Sequence, residues 1–159
     1  MSFCRSFYDN KMINFSYLSR SLIELELEPV CSEYNIKRLE LFLLLILEFN
    51  PRINSAKKIC DLGELKRSNV SIMVESLCNR GIIVQEIDKD DRRSYKLSLT
   101  EKAKPIIEKS INIIDKVYTS ILEGIPEDEL KRGEKLFGKM YENLKKINSK
   151  LNLEEIDAK

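Results

Sequence analysis

Two short polar runs near the middle of a 159-residue chain hold the residue types best suited to chemistry. The first is Lys66-Arg67-Ser68-Asn69 with Ser71 just beyond, two cations and three small hydrogen-bonding side chains where an apolar helical stripe begins. Helix N-terminal amides and cationic side chains hold phosphates, while Asn and Arg can bond a base edge through two atoms at once, so such a face suits a major groove. Taken alone, the same residues also fit a solvated helix start. The second run, Asp88-Lys89-Asp90-Asp91-Arg92-Arg93, puts two arginines at the tip of a charged loop. An extended arginine enters a narrow minor groove, where the negative potential is strongest, and neighbouring carboxylates hold its guanidinium beforehand. Asp88, Asp90 and Asp91 are therefore read as braces for Arg92 and Arg93. Their likeness to a calcium loop is superficial, because the glycine and the closing glutamate of such a loop are missing, and no metal site is assigned.

Composition narrows the alternatives. Histidine is absent, which removes imidazole acid-base catalysis, His-activated nucleophiles and His-containing metal sites. Neither a phosphate-cradling glycine loop nor a nucleophile with its base is visible, so no enzyme and no cofactor is expected. Cys4, Cys31, Cys60 and Cys78 are widely spaced and form no CxxC pair, against both a disulfide framework and a zinc knuckle. The formal net charge is only +1, yet Arg52 to Lys104 holds 12 basic and 8 acidic residues. Any electropositive face is therefore local and central. The longest apolar run, Leu41 to Leu47, is too short to cross a bilayer. Met1 to Ile13 lacks the unbroken apolar centre of a signal peptide. A soluble, cytoplasmic protein with no membrane partner is expected.

Helices and one hairpin must position these runs. Met12, Ile13, Phe15, Leu18, Leu22, Ile23 and Leu25 recur at mostly helical spacing, which predicts a first helix ending near Pro29. Lys37 to Phe49 reads as a buried helix closed by Asn50-Pro51. A two-turn helix follows, capped by Asn54 or Ser55 and stopped by Gly63. After a brief turn, Val70, Met73, Val74 and Leu77 form one stripe ending at Gly81, and two short helices joined by a tight turn make a helix-turn-helix. Ile82 to Ile87 and the alternating Tyr95 to Thr100 are two strands around the charged loop, a wing. Thr100 is the expected N-cap of a long helix carrying Ile106, Ile107, Ile111, Ile113, Ile114, Val117, Tyr118, Ile121 and Leu122. After Gly124-Ile125-Pro126 a last helix repeats Leu130, Leu136, Phe137, Met140, Tyr141, Leu144, Ile147 and Leu151. Both terminal helices need partners.

In order and spacing, Ser68-Asn69-Val70-Ser71, Val74, Leu77, Gly81-Ile82-Ile83, Asp88-Lys89-Asp90-Asp91-Arg92-Arg93-Ser94 and Leu97-Ser98-Leu99-Thr100-Glu101-Lys102 resemble the recognition helix, wing and wing exit of the multiple-antibiotic-resistance-regulator (MarR) family. The arrangement extends over Lys37 to Lys150; the sharp motifs occupy Ser68 to Lys102. Lys66 departs from the family, standing where Ser or Thr often caps the recognition helix. Lys89 replaces a common wing proline, and Ala103 a common glycine.

The resemblance implies a mainly α chain with a small β-hairpin wing: a single MarR-like domain whose segments 11–36 and 101–150 are dimerisation helices and whose segment 37–100 is a winged helix-turn-helix lobe. It implies a homodimeric, sequence-specific DNA-binding transcription regulator, a repressor released from its operator when a small, often aromatic, ligand enters a crevice beside the lobe. On that reading Lys66, Arg67, Ser68, Asn69 and Ser71 meet the major groove and Arg92 or Arg93 the minor groove, with Ser94 alongside. Lys57, Lys58 and Lys96 hold phosphates without reading sequence. Two-fold symmetry predicts an inverted-repeat site in double-stranded DNA. Two alternatives stand beside it: a winged-helix protein-interaction adaptor without DNA binding, and a regulator that senses oxidants through Cys4 or Cys31.

Overall fold

A computed structural model describes residues 10–62, 65–87 and 95–148. Its elements in chain order are α1 (Asn10–Glu26), α2 (Glu28–Glu33), α3 (Arg38–Phe49), α4 (Ala56–Asp61), α5 (Arg67–Asn79), β1 (Ile83–Ile87), β2 (Tyr95–Leu99), α6 (Lys104–Ile121) and α7 (Glu127–Asn148). The expected mainly α chain with one hairpin is what forms. The first helix ends at Glu26, near Pro29 as expected, and Pro29 itself belongs to the next helix. It occupies the first turn of α2, where the missing amide hydrogen costs nothing and the fixed φ favours helix.

Two helix ends share one device. Asn35 has a φ of 49° and Gly81 a φ of 67°. Each sits just past a helix whose last carbonyls it helps to satisfy. The Asn35 amide donates to Ser32 and the Ile36 amide to Cys31, while the Gly81 amide donates to Cys78 and the Ile82 amide to Leu77. Paired bonds of this kind are a Schellman motif, and the left-handed residue they need is most often Gly and sometimes Asn. The motif at Gly81 turns the chain out of α5 directly into β1.

The core lies between α3, α5 and the inner face of the hairpin. Leu41, Leu43, Leu44, Ile59, Val70, Leu77 and Ile83 are fully enclosed there. β1 and β2 pair antiparallel with Ile83 opposite Leu99 and Gln85 opposite Leu97. Only the base of the hairpin is buried, since Leu97 is enclosed while Ile87 and Tyr95, paired farther out, are exposed. The Leu97 amide also donates to the carbonyl of Asn54 at 2.7 Å, which fastens β2 to the loop before α4.

Thr100 caps differently from expectation. Its hydroxyl oxygen accepts the Lys102 amide at 3.2 Å, and lies 2.8 Å from the Gly81 carbonyl and 3.0 Å from that of Ile82. It thereby organises a turn over residues 101–103, after which α6 begins with Ala103 as N-cap. On α6, Ile106, Ile107 and Val117 are buried, but Tyr118 and, just past the helix, Leu122 are exposed. On α7 the apolar residues Leu136, Phe137, Met140, Leu144 and Ile147 are all exposed, as are Ile13, Phe15, Leu18, Leu22 and Leu25 on α1.

Candidate nucleic-acid interface

The helix-turn-helix is built by α4 and α5, which pack on each other. Ser55 caps α4 by accepting the Lys58 amide at 3.3 Å. Of the two residues expected to cap, Ser55 does so, and Asn54 instead gives its carbonyl to β2. Gly63 and Glu64, the turn between the helices, lie outside the described residues. Helix α5 then buries Val70, Met73, Val74 and Leu77, the stripe that periodicity predicts.

Burying that stripe fixes what the rest of α5 shows. Lys66, Arg67, Ser68, Asn69 and Ser71 are all exposed. Lys66 is the N-cap residue with extended backbone, and its side chain makes no capping bond. Lysine has no acceptor, so no side chain at that position covers the first amides of α5, whose macrodipole favours an anion. The Ser71 hydroxyl donates to the Arg67 carbonyl at 3.1 Å. Its proton is thereby engaged along the helix, and what it offers outward is its oxygen as an acceptor.

Lys57 and Lys58 are exposed on α4, and Lys96 is exposed on β2. The bond from Leu97 to Asn54 ties the backbone of β2, next to Lys96, to the loop that leads into α4. Lys58 also donates to the Arg52 carbonyl at 2.8 Å, which steadies its stem and leaves two ammonium protons for another acceptor. Lys96 stands opposite Glu86 across the hairpin. Arg92, Arg93 and Ser94, with the bracing Asp88, Asp90 and Asp91, lie outside the described residues, as does Cys4.

Sequence reasoning missed the anchor of α5. Arg80, its C-cap residue, donates to the Tyr34 carbonyl at 2.6 Å and lies 3.8 Å from the Glu40 carboxylate. Glu40 is only 3% exposed and accepts the Lys37 amide at 2.8 Å, the returning half of a capping box at the start of α3. The ammonium of Lys102 donates to the Arg80 carbonyl at 3.3 Å. One residue thus ties the far end of α5 to α2, α3 and the wing exit. Tyr34 and Glu40 are 46 and 40 residues away in sequence and Lys102 is 22 away, and no local pattern signals such a pairing. The residues Ile72 and Glu75, also missed, stand exposed on α5 facing away from the core. Counting the helical turn outward from the buried stripe would have found them.

Cys31 is buried at 6% exposure, and burial, with Glu28 next in effect, pushes its thiol above the ordinary value. Burial likewise raises the thiol of Cys78. Among the described residues no group of three or more His, Cys, Asp or Glu could hold a metal ion, and no described helix is long and apolar enough to cross a membrane. Two surface grooves are formed by α6 and α7. One runs along α6 past Asn112, Asp115 and Thr119, and the other lies between Leu122, Ile125 and Leu130. Neither is lined by a residue of the segment 37–100.

Residues 36–103 match the winged helix DNA-binding domain family, a span that contains α3, α4, α5 and the hairpin. Solved structures match a longer part of the chain. A MarR transcriptional regulator from Methanosarcina mazei superposes with a TM-score of 0.68 at 18% identity, covering 87% of this chain and 99% of that one. The chain has the MarR fold. The crystal structure of MarR itself gives a TM-score of 0.68 at 15% identity, covering 86% of this chain and 92% of that one. The Staphylococcus aureus MepR–DNA complex matches with a TM-score of 0.56 at 19% identity, covering 81% of this chain and 98% of that one. The MarR fold therefore spans α1 and α7 as well as the winged lobe.

Proposed function

We propose that this chain is a homodimeric, sequence-specific DNA-binding transcription regulator of the MarR family that reads an inverted-repeat operator. The observation that carries the reading is the exposed polar end of α5, Lys66 to Ser71, on a helix whose opposite side is locked into the core of a winged helix domain. The open N-terminus of α5 meets a phosphate, Arg67 and Asn69 offer paired donors and acceptors to base edges, and Ser71 accepts from a base amino group. Lys57, Lys58 and Lys96 hold the backbone on either side of the groove and set the register without reading sequence. Arg92 and Arg93 reach the flanking minor groove, steadied by Asp88, Asp90 and Asp91, with Ser94 beside them.

The segments 11–36 and 101–150 form the dimer, and 37–100 is the DNA-binding lobe. Two identical lobes related by a two-fold axis require half-sites about one helical turn apart. The matched structure of MepR with DNA supports the same partner for this chain. The protein acts as a repressor, and a small aromatic ligand releases it by binding one spacing of the two α5 helices better than the other. It works in the cytoplasm.

The test is a fluorescence-anisotropy titration of duplexes selected from a random pool. Replacing Arg67 and Asn69 together with Ala should lower affinity for the selected site about 100-fold while leaving weak binding to unrelated DNA largely intact. Equal loss on both kinds of duplex would show that these residues position without reading. No salt-sensitive binding by the unaltered protein would favour the adaptor reading.

A further inference from the structure

The stripe of α5 that faces directly away from the core is not its basic start. Val70, Met73, Val74 and Leu77 are buried, so at 100° per residue the outermost positions are Ser68, Ile72, Glu75 and Asn79. All four are exposed. Ile72 is 61% exposed and stands apart from the apolar faces of α1, α6 and α7 that carry most of the other exposed hydrophobics. A β-branched side chain on an exposed helical turn forms helix less readily than the straight-chain polar residues that usually fill such a place. Nothing within the described chain covers it.

Charge sharpens the reading. Glu75 lies one turn beyond Ile72 on the same stripe, and the residues three and four away along α5 are Ser71, Ile72, Cys78 and Asn79, none of them a cation. A carboxylate on that stripe repels phosphates, so the stripe cannot lie along a nucleic-acid backbone. Over the floor of a major groove the same carboxylate meets the cytosine amino group, and an apolar side chain beside it meets the one apolar group exposed there, the thymine 5-methyl. From Ser68 to Glu75 the stripe spans roughly 10 Å, comparable to the width of the major groove.

We propose that Ile72 packs on the 5-methyl group of a thymine in each operator half-site, which makes that thymine a specificity position of the site. This rests on the DNA-binding reading above and adds to it the identity of a base. Replacing the thymine by uracil removes the methyl group and leaves every hydrogen-bonding atom of the base pair in place.

The experiment compares four titrations on a duplex selected from a random pool: unaltered protein and Ile72→Ala, each with thymine or uracil at the invariant thymine of both half-sites. The unaltered protein should lose about fourfold in affinity per uracil-substituted half-site. Ile72→Ala should bind the thymine duplex that much more weakly and be indifferent to uracil. Thermal melting checks that the variant is folded, and the uracil arm with unaltered protein needs no variant. Selected half-sites without an invariant thymine, or an unaltered protein indifferent to uracil, would overturn the inference while the DNA-binding reading stood. A pool with no enriched duplex would overturn both.

Discussion

Arg80 and Cys31 show how much of the site's behaviour is decided by single side chains. The Arg80 guanidinium joins the end of α5 to the Tyr34 carbonyl and stands beside the enclosed Glu40. Among the described residues, Arg80→Ala leaves a buried carboxylate with only the Lys37 amide as partner, and should cost about 2 kcal/mol in denaturant unfolding. Because it frees one end of α5, it should also weaken binding to a selected duplex more than binding to unrelated DNA. Cys31 bears on the oxidant-sensing alternative. Peroxide reacts with a thiolate, and burial holds this thiol protonated at neutral pH. Labelling of Cys31 at pH 7 should be slow in the folded protein and fast in denaturant; fast labelling in the fold would revive the alternative for this residue. The sign of the shift also sets a pH effect. The folded pKa lies above the ordinary value of 9.0, so the folded state holds the proton longer, and this contribution to stability is full below about pH 9 and is lost as pH rises through the folded value. Neither residue's role was legible in the sequence: the partners of Arg80 are far along the chain, and burial of a thiol depends on packing that no spacing reveals.

At the scale of elements, legibility followed periodicity. The stripe Val70, Met73, Val74 and Leu77 and the alternation in Tyr95 to Leu99 are set by local geometry, and both appear as read. Ends of elements depend on finer competition. Pro29 signals a stop and a start equally well, and only its place behind Leu27 decides for a start. Thr100 has the chemistry of an N-cap but uses it on the turn before α6, because its hydroxyl also reaches the carbonyls leaving α5. Gly81 is a harder constraint. With a φ of 67° and the Lys102 ammonium nitrogen 3.3 Å from where a Cβ would stand, Gly81→Ala strains the backbone and crowds the wing exit. It should cost about 1 kcal/mol and lower the melting temperature by several degrees. An unchanged melting temperature would mean that the Schellman turn after α5 relaxes freely. The charged run Asp88 to Arg93 that the sequence assigns to the wing tip, Arg92 and Arg93 included, lies outside the described residues.

The whole molecule is marked by apolar surface that one chain does not cover. On α7, Leu130, Phe137 and Leu144 are spaced by seven, with Gly133, Met140 and Ile147 three residues behind each, and most of these side chains are exposed. Such a heptad seam buries itself against another helix. Exposed apolar residues recur along α1 and α7, the kind of surface that marks a protein interaction site when it is contiguous. That both terminal helices need partners was readable from their spacing alone, although what they pair with is a proposal. Phe137 is 72% exposed in the single chain, so Phe137→Glu should leave the lobe folded while shifting a dimer towards monomer by about tenfold or more in dissociation constant. Light scattering across a concentration series checks it, and a variant that stays dimeric would move the interface elsewhere. At this scale the charge pattern also matters: a basic centre within a nearly neutral chain favours salt-dependent contact by the lobe alone.

The central claim is that two copies of this chain present two α5 helices to one duplex. Sequencing the duplexes that the purified protein enriches from a random pool measures this most directly. The account predicts an inverted repeat whose half-site centres lie about one helical turn apart. Enrichment of a single unrepeated half-site, or of no sequence at all, would contradict it.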